Sequence, residues 1–323
     1  MRFKQTLPVL WLALCVGGAG VARAEYPDRP LTLVVPFAPG GGTDVYGRML
    51  AEELHDKLKQ TVVVENRPGA SMQIGTTAVA KSAPDGSMLL MASATSLAVN
   101  PNIYKSLAYD PIKDLAPIGL VGSAYFVLVA NPALGVKTLP ELIAYIKARP
   151  GQLSYASAGI GTPHHIFMEL FMTMAGLKMQ HVPYKGSVPA LTDVMSGVIP
   201  VMIVDLLPSL QLIRDGKLQA FGVTTDHRIK AAPDIPTIAE AALPGYSATG
   251  WFAMMARAGT PRPAIDTVNR VLVDYVRRPE VQDKLQAIAL EPLSSTPDEL
   301  AKFIPAEMTK WGQVLRQAGI APE

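Results

Sequence analysis

Leu31-Thr32-Leu33-Val34-Val35-Pro36-Phe37-Ala38-Pro39-Gly40-Gly41-Gly42-Thr43-Asp44 runs from a β-branched segment through a glycine-rich turn into the start of a helical pattern. Leu31 to Pro36 reads as a strand, Val45 to Leu58 as a helix and Thr61 to Glu65 as a second strand. Strands and helices alternating in this way predict an α/β fold with parallel sheets and helices on both faces. The rhythm persists through strands at Met88 to Ala92, Phe126 to Ala130, Leu153 to Ser157, Gln180 to Pro183, Val201 to Val204 and Ala220 to Thr225. Helical patterns at Leu139 to Ala148, Pro163 to Ala175, Val188 to Ser196 and Leu206 to Arg214 separate the later ones. Past Pro261 the chain reads as helices over Pro263 to Arg277, Pro279 to Ala289 and Pro297 to Gly319, with a short strand near Glu291. Pro279 and Pro297 take first helical positions, where a missing N–H costs nothing.

Upstream of this pattern, Met1-Arg2-Phe3-Lys4 precedes an apolar run from Leu7 to Val21 and the small-x-small triplet Ala22-Arg23-Ala24. That order predicts an export signal over residues 1–24, cleaved after Ala24, and hence a periplasmic protein. Gly17, Gly18 and Gly20 break the run, which is shorter than the roughly 20 apolar residues of a membrane span. The single cysteine, Cys15, lies inside the signal, after Leu14 where a lipid-anchored signal needs a small residue. What remains has no disulfide, thiolate metal site or cysteine nucleophile and must rely on an apolar core. The signal also holds Arg2, Lys4 and Arg23, so the rest of the chain carries one more acidic than basic residue. Such a balance argues against nucleic acid, whose partners carry a basic patch or stripe. Its length suits about two domains.

In open α/β sheets the ligand crevice lies beyond the carboxyl ends of the strands. Two strand-to-helix loops there carry the chemistry. In the first, Gly40, Gly41 and Gly42 bring bare backbone N–H groups to a helix N-terminus, whose positive dipole end attracts an anion. No Lys-Ser/Thr follows the glycines and Val45 stands where a dinucleotide loop needs glycine, so a small carboxylate suits the loop better than a phosphate cofactor. Read alone, it could equally be a tight turn capped by Thr43 or Asp44. The second loop, Ser157-Ala158-Gly159-Ile160-Gly161-Thr162-Pro163-His164-His165, has Thr162 as helix N-cap and Pro163 as first helical residue. His164 and His165 sit in the first turn, within reach of a ligand, but without the third ligand of a metal site. Ser93, Thr95, Ser96, Lys185 and Asp205 follow other strands and could line the same crevice or cap helices. Asp205 could take a ligand amine or hold loop N–H groups. No Gly-x-Ser-x-Gly elbow is present, and no catalytic triad is placed by sequence. No cofactor and no metal are expected.

Ordered landmarks then give a family resemblance. They are Tyr26-Pro27-Asp28-Arg29-Pro30, Val35-Pro36-Phe37-Ala38-Pro39-Gly40-Gly41, Val64-Glu65-Asn66-Arg67-Pro68-Gly69-Ala70, Ala83-Pro84-Asp85-Gly86, Gly161-Thr162-Pro163-His164-His165, His181-Val182-Pro183-Tyr184-Lys185-Gly186, Pro233-Asp234-Ile235-Pro236-Thr237 and Ala258-Gly259-Thr260-Pro261. The chain resembles the Bug or TctC-type extracytoplasmic solute receptors of tripartite tricarboxylate transporters. The resemblance implies a type II periplasmic binding fold: two lobes with helix-flanked sheets, joined by crossovers, with a ligand cleft between them. Residues 25–124 with 247–323 would form one lobe and 125–246 the other. It further implies that Phe37, Ala38, Gly41, Gly42 and Thr43 grip a ligand carboxylate from one side and Ser157, Gly161, Thr162 and His165 from the other. Asp205 matches the family's aspartate in a Phe-Asp-Asn stretch. The implied protein is a monomeric, non-enzymatic receptor working with membrane transporter subunits; an exported α/β enzyme, a receptor for another importer class and an orphan sensor are the alternatives. Two stretches depart from the family pattern, both at loop positions expected to border the crevice and bear on the ligand's distal contacts: Ser71-Met72-Gln73 stands for Gly-Gly-Asn, and Leu206 for the asparagine after the aspartate.

Overall fold

The computed structural model describes residues 26–40 and 42–322. The expected signal segment and Gly41 lie outside them. In chain order the strands are β1 (Leu31–Val35), β2 (Val62–Asn66), β3 (Met88–Ser93), β4 (Leu115–Ala124), β5 (Phe126–Ala130), β6 (Ser154–Ser157), β7 (Gln180–Pro183), β8 (Val201–Asp205), β9 (Gln219–Val223), β10 (Gly250–Arg257) and β11 (Leu290–Pro292). They form a six-stranded sheet in the order β11-β4-β10-β3-β1-β2 and a five-stranded sheet in the order β7-β6-β8-β5-β9. The Pro163–Ala175 helix has the expected bounds. The first long helix starts earlier than expected, at Gly42, and ends at Leu58 as read.

The sheets are mixed, which corrects the expectation of parallel ones. β1 pairs parallel with β2 and β3, and β6 with β7 and β8. β10, however, is antiparallel to both β3 and β4, and β5 is antiparallel to both β8 and β9. The reason is where these strands come from. β4 runs into β5 with only Tyr125 between them, so one extended segment leaves the first sheet and enters the second. A strand arriving from the other sheet enters at the facing edge, where the parallel strands end, and must run against them. The register records this: Phe126 opens β5 opposite Asp205 at the end of β8, and Phe252 near the start of β10 lies opposite Ser93 at the end of β3.

Alternation along the strands sorts the apolar side chains into three cores. Leu33, Met91 and Met254 face Leu50, Val268 and Leu272 on one side of the first sheet. Val127, Met202 and Val204 face Val194 and Leu206 on one side of the second. The third core is common to both sheets, joining Val34, Leu90 and Met255 to Leu128, Ile203 and Phe167, and to Leu300, Trp311 and Leu315 of the Pro297–Gln317 helix. Trp311 stacks on Phe167 at 5.5 Å between ring centroids. Buried Glu307 accepts hydrogen bonds from Trp251 Nε1 of β10 at 2.9 Å and from Trp311 Nε1 at 3.0 Å, one turn away on its own helix.

Each indole N–H left without a partner costs about 1–3 kcal/mol. Glu307→Ala should therefore lower the unfolding free energy by about 2–4 kcal/mol, read as a drop in the urea midpoint, whereas Glu307→Gln, which keeps an accepting oxygen, should lose less.

Candidate functional site

Because β3, β4 and β8 end, and β5 and β10 begin, at the junction of the sheets, their terminal residues border one partly open space. A cavity of about 250 Å³ lies there, with Ser93, Ala124, Phe126, Asp205 and Trp251 in its wall. That is small beside the roughly 300–1,000 Å³ of sites for drug-sized ligands.

Its polar lining comes from helix beginnings. Thr43 is in the first turn of the Gly42–Leu58 helix and Thr95 opens a π-helical turn, Thr95–Val99. Thr162 is the residue before the Pro163–Ala175 helix, and Ser187 is the first residue of the Ser187–Ser196 helix. Asp205 immediately precedes the Leu206–Arg214 helix. Each helix N-terminus presents unpaired N–H groups and roughly half a positive charge. Among the described residues lining the cavity there is no lysine or arginine, and Asp205 is the one carboxylate. Phe37, Phe126, Trp251 and Phe252 give the rest of the wall an aromatic character, Phe37 meeting Phe252 edge to face at 6.0 Å.

Asp205 Oδ2 lies 2.9 Å from His164 Nε2. Burial alone would raise the Asp205 pKa, but the pull of His164 and its hydrogen bond outweigh it and hold the carboxyl below its ordinary range. The first loop is braced from behind. Asp44 accepts from Gly40 N at 2.9 Å, Asn66 Nδ2 at 2.8 Å and Arg48 Nε at 3.1 Å, and these bonds, the one from Gly40 foremost, keep its carboxyl ionised well down in pH.

The expected site residues divide into two groups. Phe37, Thr43, Ser93, Thr95, Thr162 and Asp205 line the cavity together. Gly42 begins its helix, and Gly41 is not described. Ala38 and Lys185 are exposed on their loops and do not line the cavity. Ser157, Gly161 and His165 stand behind the second loop rather than in the cavity wall. Ser157 Oγ lies 2.6 Å from His181 Nε2 and accepts from Gly159 N at 3.1 Å. Gly161, at φ +74°, donates its N–H to His165 Nδ1 at 3.2 Å. Ser96 likewise turns inward, its hydroxyl donating to Ser93 O. Of the two adjacent histidines, His164 is the one that lines the cavity. Successive helical residues are about 100° apart, so His165 points the other way, into a stack with His181 at 4.1 Å and Tyr155 at 6.4 Å. Of the two departures expected to border the crevice, Met72 lines the cavity, whereas Leu206 is buried in the second sheet's core. Phe126, Ser187, Trp251 and Phe252 were not foreseen; of these, Trp251 and Phe252 had a sequence signal in the apolar run Trp251 to Ala256. Among the described residues no three histidine, cysteine, aspartate or glutamate side chains group as a metal site.

A family model described as "Tripartite tricarboxylate transporter family receptor" matches residues 46–320. Protein BugT of Bordetella pertussis is 39% identical over 322 residues, covering 99% of each chain. A solved R. palustris structure with adipate has a TM-score of 0.84 and 34% identity, covering 92% of this chain and 100% of that one. MatC from Rhodopseudomonas palustris with bound malate has a TM-score of 0.78 and 29% identity, covering 90% of this chain and 100% of that one.

The histidine stack yields a pH dependence. Burial, with His181 adding to it, lowers the His165 pKa from 6.5 to about 3, and burial lowers that of His181 to about 4. The unfolded chain therefore binds more protons than the folded one below the ordinary histidine value, so this stability is whole above pH 6.5 and is lost as pH falls toward the folded values. The two together should remove about 2 kcal/mol between pH 6 and pH 5, and His181→Gln should show a visibly shallower fall in urea midpoint across that interval.

Proposed function

Because the chain belongs to the family of tripartite tricarboxylate transporter receptors, we propose that it captures a small carboxylate in the cavity between its two sheets and presents it to membrane subunits of such a transporter. One observation carries the reading: several helix N-termini, each with a hydroxyl residue or Asp205 at its mouth, converge on one cavity with no lysine or arginine among its described lining residues. Aligned backbone dipoles and hydroxyl donors stabilise an anion without desolvating a side-chain cation. Adipate and malate in the two related structures are carboxylates of a size such a space admits.

Residues 25–124 with 247–323 form one lobe in this reading and residues 125–246 the other, with export directed by residues 1–24 and cleavage after Ala24. The lobes of the monomer open and close about the segment through Tyr125 and the return between β9 and β10. A ligand favours the closed form by as much as it binds that form better. The closed pair of lobes is what the membrane subunits recognise, and no step of bond making or breaking is involved.

Thermal melting of the chain without residues 1–24 against di- and tricarboxylates, amino acids and aromatic acids tests this. An acid at 100 times its dissociation constant adds about 2.7 kcal/mol of stability. Thr43→Val should weaken that acid's binding about tenfold by removing one hydroxyl donor, with little change in the unliganded melting temperature. A melt that no carboxylate shifts refutes the reading.

A further inference from the structure

Met72 projects into the cavity from a stretch where an unusual backbone holds it. Ala70, Ser71 and Met72 have φ of 45°, 50° and 70°, three consecutive residues with side chains in the left-handed region, after Gly69 at 116°. Residues other than glycine avoid that region, and a run of them persists only where surrounding contacts over-determine it. Those contacts are present. Asn100 Nδ2 donates to Ser71 O at 2.8 Å, Tyr104 Oη donates to Ser71 Oγ at 3.1 Å, and Gln73 N donates to Ala70 O at 3.0 Å. The Gln73–Ala80 helix that follows is pressed against the end of β1: a Cβ on Gly75 would lie 2.9 Å from Arg67 O and 2.9 Å from Pro36 Cβ.

A methionine side chain is ordinarily an adaptable filler with three rotatable bonds. Here the far end is tethered too, since Ser93 Oγ donates to Met72 Sδ at 2.9 Å. The thioether thus fixes part of the wall and engages a hydroxyl at the end of β3 that otherwise faces the cavity. None of this serves the helix-end anion site, whose polar groups lie on other elements.

Resting on the carboxylate reading above, we infer that Met72 is the specificity-determining wall of the cavity: it sets the length of acid the site accepts, favouring short carboxylates over longer homologues. The residue acts by volume and by its fixed position, so a smaller side chain lengthens the space, while an apolar one of like volume preserves it.

Calorimetric titration of butyrate, hexanoate and octanoate, and of succinate, adipate and suberate, into the wild type, Met72→Ala and Met72→Leu tests this. Affinity in the wild type should fall at least tenfold between a bound acid and the homologue two carbons longer, the order of discrimination an apolar pocket gives per excess methylene. Met72→Ala should shrink that step about tenfold, and Met72→Leu should keep it. A wild type indifferent to length, or a Met72→Ala protein that binds with the wild-type length preference, overturns the inference while leaving the carboxylate site standing. If none of the six acids nor any other carboxylate binds the wild type, the site itself is refuted and this inference falls with it.

Discussion

A single buried carboxylate, that of Glu307, receives two indole N–H groups from different parts of the chain. Trp251 belongs to the return strand of the first sheet, and Trp311 to the C-terminal helix that leans on Phe167 of the second sheet's Pro163–Ala175 helix. Large aromatic side chains bring much apolar area into a core, and each brings one donor that must be satisfied there. Placing one acceptor between both lets the common core close with neither indole N–H left unpaired, as buried donors seldom are. Trp251 is also part of the cavity wall, so this contact holds one side of the cavity from behind.

The same economy governs the charge of the site. A lysine or arginine in so small a space would have to be stripped of water, and its desolvation would offset much of what it contributed. Helix ends supply their partial charges already oriented by the backbone bonds that make the helices. The crossing strands place those ends. Because β5 and β10 begin where β8 and β3 finish, loops from both sheets open toward each other, and Thr43, Thr95, Thr162 and Ser187 come to face one volume although they are spread over nearly half the chain.

Much of the scaffold was legible because it is local. The strand of Leu31 to Val35 and the helix of Pro163 to Ala175, with its Thr162 cap and Pro163 start, follow from propensity and end chemistry over a few residues. Strand direction was not, since nothing inside Phe126–Ala130 or Gly250–Arg257 states which sheet the chain has just left. The candidate cavity was legible to the extent that it repeats the strand-loop-helix pattern, which pointed to Thr43, Ser93, Thr95, Thr162 and Asp205, while the family resemblance supplied Phe37. It was illegible where one residue of rotation decides: His164 and His165 share chemistry and neighbours in sequence, and only the helix phase sends one to Asp205 and the other to His181. Met72 was marked in the sequence as part of a departure from the family pattern at a loop bordering the crevice; its exact place in the wall depends on a backbone conformation that its own residue type disfavours.

The passage from β4 to β5 through Tyr125 alone also orders the assembly of the molecule in time. The five strands of the second sheet lie between Phe126 and Val223, uninterrupted by strands of the other. The first sheet, by contrast, has β10 at its middle, and the ladder β4-β10-β3 cannot form before the chain extends to Arg257. Long-range pairings of this kind bear their loop-closure entropy before any contact rewards it. A chain emerging from its amino end can therefore complete its second sheet while β3, already paired with β1, and β4 still wait for β10 to fill the gap between them. The common core closes last, when the final helix delivers Glu307 and Trp311.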